Sequence, residues 1–349
     1  MAAFYSRLLA LLCFTSCCLL LFFFQNNSLQ KPHTDAIPFK AIFTCKTCKK
    51  NSIISQLLKT YSPRWRRDET NFTKFRSLLN NKCNASSRAV VTQDNTPLGS
   101  KLVYDGEPKR SLEVKQDLFS QFVKESPFGD ATQRSCSVVG NGGILANSSC
   151  GQKIDSANFV IRCNIPPVGS KHERHVGTKT HLVTANPSIF QERYKSLAER
   201  RRPLVESLHA YGNSLLLLPA FSFGFNTPLC LRVHYTLEDF STAGPQAVFL
   251  NPDYVRCLSS FWKDLGLRAH RLSSGLMMVS LAMELCDTVH LYGFWPFEHH
   301  PVNHQQLTNH YYDNQKVSRV HSMSTEFELL LRFHTNGIVN LHLGECPVY

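Results

Sequence analysis

The chain of 349 residues carries a formal net charge of +12, with 43% hydrophobic and 18% charged residues. That composition excludes overall disorder and suffices for one sizeable domain with accessory segments. The basic excess suits an anionic partner, but the basic residues are scattered. No zinc-finger spacing or recognition-helix pattern accompanies them, so nucleic acid is set aside.

In chain order, the first element is Leu8–Phe24, 17 consecutive residues without a charge. A spanning helix needs roughly 17–25 apolar residues. A cleavable signal peptide is the rival reading, but no small-x-small cleavage site precedes Gln25. The run therefore reads as a short signal-anchor, with Arg7 keeping the N-terminus cytosolic. The chain holds thirteen cysteines, three of them (Cys13, Cys17, Cys18) inside this run. Sequons stand at Asn26, Asn71, Asn84 and Asn147; Asn26 is too close to the anchor for modification. Anchor, sequons and cysteines together point to an oxidising lumen. Cys45-Lys-Thr-Cys48 lacks a second metal-binding half and a thioredoxin-like context, and reads as disulfide chemistry. Residues 25–85 are polar and Pro-punctuated, as expected of a stem, with a short helix around Ser52–Tyr61.

From Ser86 onward, strand-length apolar runs alternate with helical ones. The expected strands are Ser137–Gly140, Phe159–Arg162, His181–Thr184, Ser214–Pro219, Ala247–Leu250 and Val289–Gly293. The expected helices are Phe190–His209, Pro252–Gly266 and Ser274–Leu285. This alternation predicts an α/β sheet with covered faces.

Two segments carry chemistry. In Cys136–Asn164, Val138 and Val139 finish a strand, and Gly140, Gly142 and Gly143 let the backbone turn close to a ligand. Asn141 sits in that turn, and a following helix is expected to aim its N-terminus at a phosphate. The spacing Gly140, Gly142, Ala146 is a weak dinucleotide fingerprint, because no acidic residue ends a clean second strand. In Arg271–Phe297, the polar turn Ser273-Ser274-Gly275 precedes a helix apolar on nearly every face, hence buried. Its N-terminus can hold an anion. Trp295, Pro296 and Phe297 follow the next strand, where they either pack in the core or line a ligand site. The cluster His299, His300, His304 is interrupted by Pro301 and lacks a carboxylate or cysteine partner, so no metal is assigned.

The block Cys136–Val168, including Asp155, Asn158, Phe159, Arg162, Asn164, Pro166 and Pro167, resembles the large sialylmotif of the eukaryotic sialyltransferases. Arg271–Phe297 resembles the small sialylmotif. His310-Tyr311-Tyr312-Asp313 is similar to the short third motif, and His321 with Glu326 to the very small motif. The spellings GNGGIL, RCNIPPV, TANPS, GFWPF and HYYDN look most like the non-polymerising α-2,8 branch.

The resemblance implies a glycosyltransferase of family 29 with a GT-A-like, Rossmann-related fold. It divides the chain into a cytosolic tail (1–7), an anchor (8–24), a stem (25–85) and a single lumenal catalytic domain (86–349) of a type II Golgi membrane protein. The donor would be CMP-sialic acid, with no cofactor or metal. The acceptor would be a sialylated ganglioside or O-glycoprotein, joined by an inverting α-2,8 transfer. By position, Asn141, Asn164, Ser273, Ser274, Gly275, Trp295, Pro296, Phe297 and Asn309 would contact the donor. A sugar hydroxyl is too weak an acid to ionise at neutral pH, so the chemistry needs a base, and an imidazole suits. His321 takes that role, with His310 at the departing phosphate. Disulfides Cys136–Cys286 and Cys150–Cys346 are implied, with Asn71, Asn84 and Asn147 as glycosylation sites. Cys163 and Cys257 are expected as buried free thiols, and Cys83 and Cys230 are unassigned. A homo-oligomer is left open. Two rival readings are a lumenal NAD(P)-dependent oxidoreductase and a non-catalytic sialoglycan-binding protein on the same fold.

Overall fold

The computed structural model describes residues 55, 58–129, 132–240, 244–315 and 322–347. The run Leu8–Phe24, the Cys45/Cys48 pair, the sequon at Asn26 and His321 lie outside the described residues. Among the described residues no helix is long and apolar enough to cross a membrane.

A small antiparallel pair, β1 (Lys101–Val103) and β2 (Ser111–Glu113), precedes the main sheet. That sheet has seven strands: β3 (Gln133–Val139), β4 (Phe159–Arg162), β5 (Leu182–Thr184), β6 (Leu215–Leu218), β7 (Gln246–Phe249), β8 (Cys286–Tyr292) and β9 (Asn340–His342). Their order is β7-β6-β5-β4-β3-β8-β9, and every pairing is parallel. Cys136, Ser137, Val138 and Val139 of β3 are all buried. Because successive side chains point to opposite faces, both faces of the sheet are covered at its centre.

The chain builds outward from β3 to β7, then returns to add β8 and β9 on the other side of β3. The direction of winding therefore reverses between β3 and β8. Open α/β sheets place ligands at such a reversal, outside the carboxyl ends of the strands.

The longer helices are α1 (Glu69–Cys83), α2 (Pro187–Tyr194), α3 (Arg202–Leu208), α4 (Asn226–Asp239), α5 (Pro252–Asp264), α6 (Ser274–Leu285) and α7 (Met323–Thr335). The single helix expected over Phe190–His209 is instead two, α2 and α3. Lys195, Ser196 and Leu197 all take positive φ, which ends the first helix. Pro203, which has no N–H to donate, starts the second. α6 has the expected bounds, and Leu276 through Leu285 are all buried.

α1 falls within the span expected to be stem, yet it packs into the fold through Phe72, Phe75 and Leu79, each buried. Arg76 ties it to α6 and β8, donating from Nε to the Glu284 carbonyl and pairing with Asp287 at 3.1 Å. The buried Glu284 carboxylate accepts from the Ala85 N–H and the Tyr254 hydroxyl, both at 2.8 Å. A disulfide joins Cys83 at the end of α1 to Cys257 on α5. Cys257 is thus not the buried free thiol expected. Its partner lies 174 residues away, a separation that gives no local sign of the pairing. Cys163 and Cys230 are free and buried. Cys136–Cys286 and Cys150–Cys346 are both disulfides.

Asn84 and Asn147 are exposed at left-handed turns, φ 52° and 62°. Asn71 lies in the first turn of α1, its Nδ2 donating to the Asn336 carbonyl at 3.1 Å.

Candidate active site

The carboxyl ends of β3 and β8 run into glycine turns that interlock. Gly140 N–H donates to the Tyr292 carbonyl at 2.8 Å, and Gly142 N–H to the Gly293 carbonyl at 2.9 Å. A Cβ at Gly142 would stand 2.6 Å from the Gly293 oxygen and 3.0 Å from the Trp295 oxygen. Gly293 itself holds φ +72°. Only glycine allows the two turns to meet this closely. No long helix follows the Gly140–Gly143 turn, contrary to expectation. A short 3-10 turn, Gly143–Leu145, takes its place. The turn therefore lacks the helix N-terminus on which a dinucleotide pyrophosphate would sit.

One helix N-terminus in the site is that of α6. Ser273 caps it, its Oγ accepting from the Leu276 N–H at 3.0 Å. The buried carboxylate of Glu326, on α7, grips the same turn: Oε1 accepts from the Ser273 N–H at 2.9 Å and Oε2 from the Ser273 hydroxyl. Ser274 donates to Asn186 Oδ1 at 3.1 Å, and the Asn186 N–H donates to Asn164 Oδ1 at 2.9 Å. Asn186 stands just after β5, at the N-cap of α2. The turns after β4, β5 and the α6 cap are thereby joined by side-chain amides and hydroxyls.

A third segment closes the site. Residues 308–313 lie against the glycine turn, with Tyr311 N–H donating to the Asn141 carbonyl at 2.9 Å and Gly143 N–H to the Asn309 carbonyl at 3.2 Å. His310 is oriented by Asp313, Nδ1 to Oδ1 at 2.7 Å, and stacks on Tyr312. Asn309 Nδ2 lies 3.4 Å from His310 Nε2. With Nδ1 carrying its proton toward Asp313, Nε2 is left as an acceptor beside the Asn309 amide. The Tyr311 hydroxyl donates to the Pro167 carbonyl at 2.6 Å, tying this segment back to the first motif.

These parts surround one cavity of about 320 Å³. Its polar wall holds Asn141, Asn186, Ser273, Ser274, Asn309 and His310. Met323, Phe327 and Leu330 of α7, with Trp295 and Pro296, supply the apolar wall. Asn141 donates from Nδ2 to the Cys163 carbonyl at 2.8 Å. Its Oδ1 is buried and has no hydrogen-bond partner among the described residues. Burial pushes the Cys163 thiol, also in the wall, up to about 12, so it is no nucleophile.

Of the residues expected at the donor, Asn141, Ser273, Ser274, Gly275, Trp295, Pro296, Asn309 and His310 line this cavity. Asn164 and Phe297 do not. Asn164 spends its carboxamide oxygen on the Asn186 N–H, and Phe297 packs edge-on against Trp295 and Phe327. Both brace wall residues from behind. Arg162 and Asp155 of the first motif are also structural. Arg162 is fully buried, donating to the Val176 and Lys179 carbonyls, and Asp155 accepts from the Thr178 and Lys179 N–H groups. Glu326 and Asn186 fall in segments that carry the resemblance, the very small motif and TANPS, but had no donor role expected of them. His321 lies outside the described residues; Met323 is in the cavity wall.

Residues 90–338 match the model of glycosyltransferase family 29 (sialyltransferase). The chain belongs to this family. It is 44% identical over 287 residues to an alpha-N-acetylneuraminide alpha-2,8-sialyltransferase of Xenopus tropicalis, covering 82% of each chain. It is 44% identical over 285 residues to human alpha-2,8-sialyltransferase 8E, covering 81% of this chain and 75% of the relative. Among solved structures, a mammalian sialyltransferase aligns over 77% of this chain and 95% of its own, at 19% identity and a TM-score of 0.46. The two segments of this sialyltransferase that resemble the family's long motifs fall on β3–β4 and on α6–β8, the elements that meet at the reversal of the sheet.

Proposed function

We propose that this sialyltransferase moves sialic acid from CMP-sialic acid to a hydroxyl of a terminal sialic acid on a ganglioside or O-glycoprotein, forming an α-2,8 linkage. The names of its relatives support the linkage. The observation that carries the site is that the glycine turn, the α6 cap and the His310 segment line one cavity at the reversal of the sheet.

The acceptor oxygen attacks the anomeric carbon of the donor, and the bond from that carbon to the CMP phosphate breaks, with inversion. The acceptor proton passes to a base, assigned to His321. Negative charge develops on the leaving phosphate. The N–H groups at the start of α6 are the donors proposed to meet it, joined by His310 Nε2 in the imidazolium form, and no metal is invoked. Asn141 Oδ1 offers an acceptor to the nucleotide. Glu326 holds the α6 cap in position and is a positioning residue. The chain is proposed to act as a single-pass type II Golgi membrane protein anchored by Leu8–Phe24.

The test is a transfer assay with CMP-sialic acid against sialylated gangliosides and O-glycoproteins, with linkage analysis of the product. An α-2,8 product from the wild type is expected, together with its loss in His321→Ala while CMP binding is retained. Cofactor binding by NADP without CMP binding would instead favour an oxidoreductase, and CMP binding without transfer to any sialylated acceptor would favour a non-catalytic binder.

A further inference from the structure

The loop between β6 and α4, residues 219–225, leaves the same carboxyl edge of the sheet as the cavity but takes no part in its wall. It carries Phe223 and Phe225, whose rings stack 5.4 Å apart at an interplanar angle of 15°. Phe225 is 61% exposed despite that stacking. Phe223 is half-buried beneath it, so the loop presents a stacked aromatic face of the kind used in recognition.

The loop is held firmly. Asp105 and Gly106, in the turn between β1 and β2, donate to the Phe221 and Ser222 carbonyls at 3.2 and 2.8 Å. Glu107 accepts from the Gly224 N–H at 2.8 Å. A side chain at Gly106 would overlap the Phe223 ring.

The surroundings are basic. The Arg271 guanidinium lies over the Phe223 ring, 4.7 Å from its centroid, and Arg110 lies beside the Tyr104 ring. Lys109 and Arg110, in the β1–β2 turn that holds the loop, are exposed. Asp105 pairs with Arg271 at 3.1 Å, and Glu107 accepts from the Gly224 N–H and faces Arg110 at 3.5 Å. Arg271 stands two residues before Ser273, at most about 7 Å of extended chain. Arg271 thus touches the aromatic pair and lies two residues along the chain from the cavity wall. Three strand spacings separate β6 from β3, about 14 Å, which is beyond the reach of one sugar.

We infer that Phe223 and Phe225, flanked by Arg271 and Arg110, form a platform for the inner sugars of an extended, acidic acceptor glycan. The rings offer a flat apolar face to a pyranose, and the exposed Lys109 and Arg110 side chains attract its carboxylates. Charge complementarity favours a sialylated glycan over a neutral one. The inference rests on the proposed transfer reaction and adds to it a preference for acceptor length.

The experiment measures transfer by the full chain to soluble sialylated oligosaccharides of increasing length and to the same glycans on lipid. Phe225→Ala, at an exposed position, should raise acceptor KM about 3- to 10-fold for the longer oligosaccharides. Donor KM, kcat and Tm should stay unchanged, and the shortest acceptor should not respond. Phe225→Tyr should keep the wild-type KM, and Phe225→Leu should behave as alanine does, because the flat ring face is what matters. Arg110→Ala should weaken the salt dependence of acceptor KM. An unchanged KM for every acceptor in Phe225→Ala would overturn the inference while leaving the transfer reaction intact. An effect confined to lipid-borne acceptors would also overturn it, in favour of membrane docking. Absence of wild-type transfer to any acceptor would refute the proposed function itself.

Discussion

Replacing Ser273 by alanine removes one hydroxyl that serves two elements. That oxygen accepts from the Leu276 N–H, capping α6, and donates to the Glu326 carboxylate, joining α6 to α7. Loss of a serine cap costs about 1 kcal/mol. Loss of a buried hydrogen bond to a charged group costs about 1.5–3 kcal/mol. Glu326 keeps its bond from the Ser273 N–H, so the carboxylate is not stripped of partners. The sum is about 2.5–4 kcal/mol, or a Tm lower by roughly 5–15 °C for a domain of this size. Because the cap also sets the N–H groups that face the cavity, donor KM should rise with it. Ser273→Thr restores the hydroxyl and should recover most of both losses. Thermal melts with and without CMP, alongside donor KM and kcat, measure this. A Ser273→Ala protein within about 0.5 kcal/mol of wild type, with unaltered donor KM, would refute the reasoning.

Gly142→Ala would drive a Cβ into the main-chain oxygens of Gly293 and Trp295, neither of which can move without opening the sheet reversal. A loss of about 1–3 kcal/mol and most of the transfer activity is expected, whereas Gly244→Ala, in open space, should be silent in both assays. Stability should fall in acid through His290 and His342, which are hydrogen-bonded to each other at 3.2 Å. Burial holds His290 down to about 4 and His342 well below the usual imidazole value. Both are neutral when folded and protonate near 6.5 when unfolded, so their contribution is complete above that pH. It declines as pH falls toward 4, by about 1.4 kcal/mol per pH unit for each imidazole. Denaturant midpoints from pH 7.5 to 4.5 should show this slope, and His290→Leu should roughly halve it. Breaking Cys83–Cys257 by a double serine substitution should cost at most about 5 kcal/mol, measured as a lower denaturant midpoint, because it frees a loop of 174 residues.

The sheet was legible because its strands are buried on both faces and therefore read as short continuous apolar runs, from Phe159–Arg162 to Leu215–Leu218. α6 was legible for the same reason, its apolar residues wrapping every side. β9 was missed: at three residues, Asn340–His342, it carries too little pattern to distinguish it from a loop. α1 reads as stem because most of its side chains are polar; only Phe72, Phe75, Leu79 and Cys83 reach the core. At the site, the sequence named the residues of the motifs without dividing them into walls and braces. Asn141 and Ser274 line the cavity, whereas Arg162, Asp155 and Asn164 hold backbone behind it. The same polar residue type serves either purpose, and only long-range hydrogen bonds decide which. Glu326 shows the limit most clearly, since its partner is 53 positions away.

The central claim is that the cavity between the β3 turn, the α6 cap and His310 binds the nucleotide of the donor. A crystal structure of the purified protein with CMP tests it most directly. The account predicts CMP against Asn141, the Ser274–Gly275 turn and His310, with its phosphate at the start of α6. CMP bound elsewhere, with this cavity left unoccupied at saturating nucleotide, would contradict it.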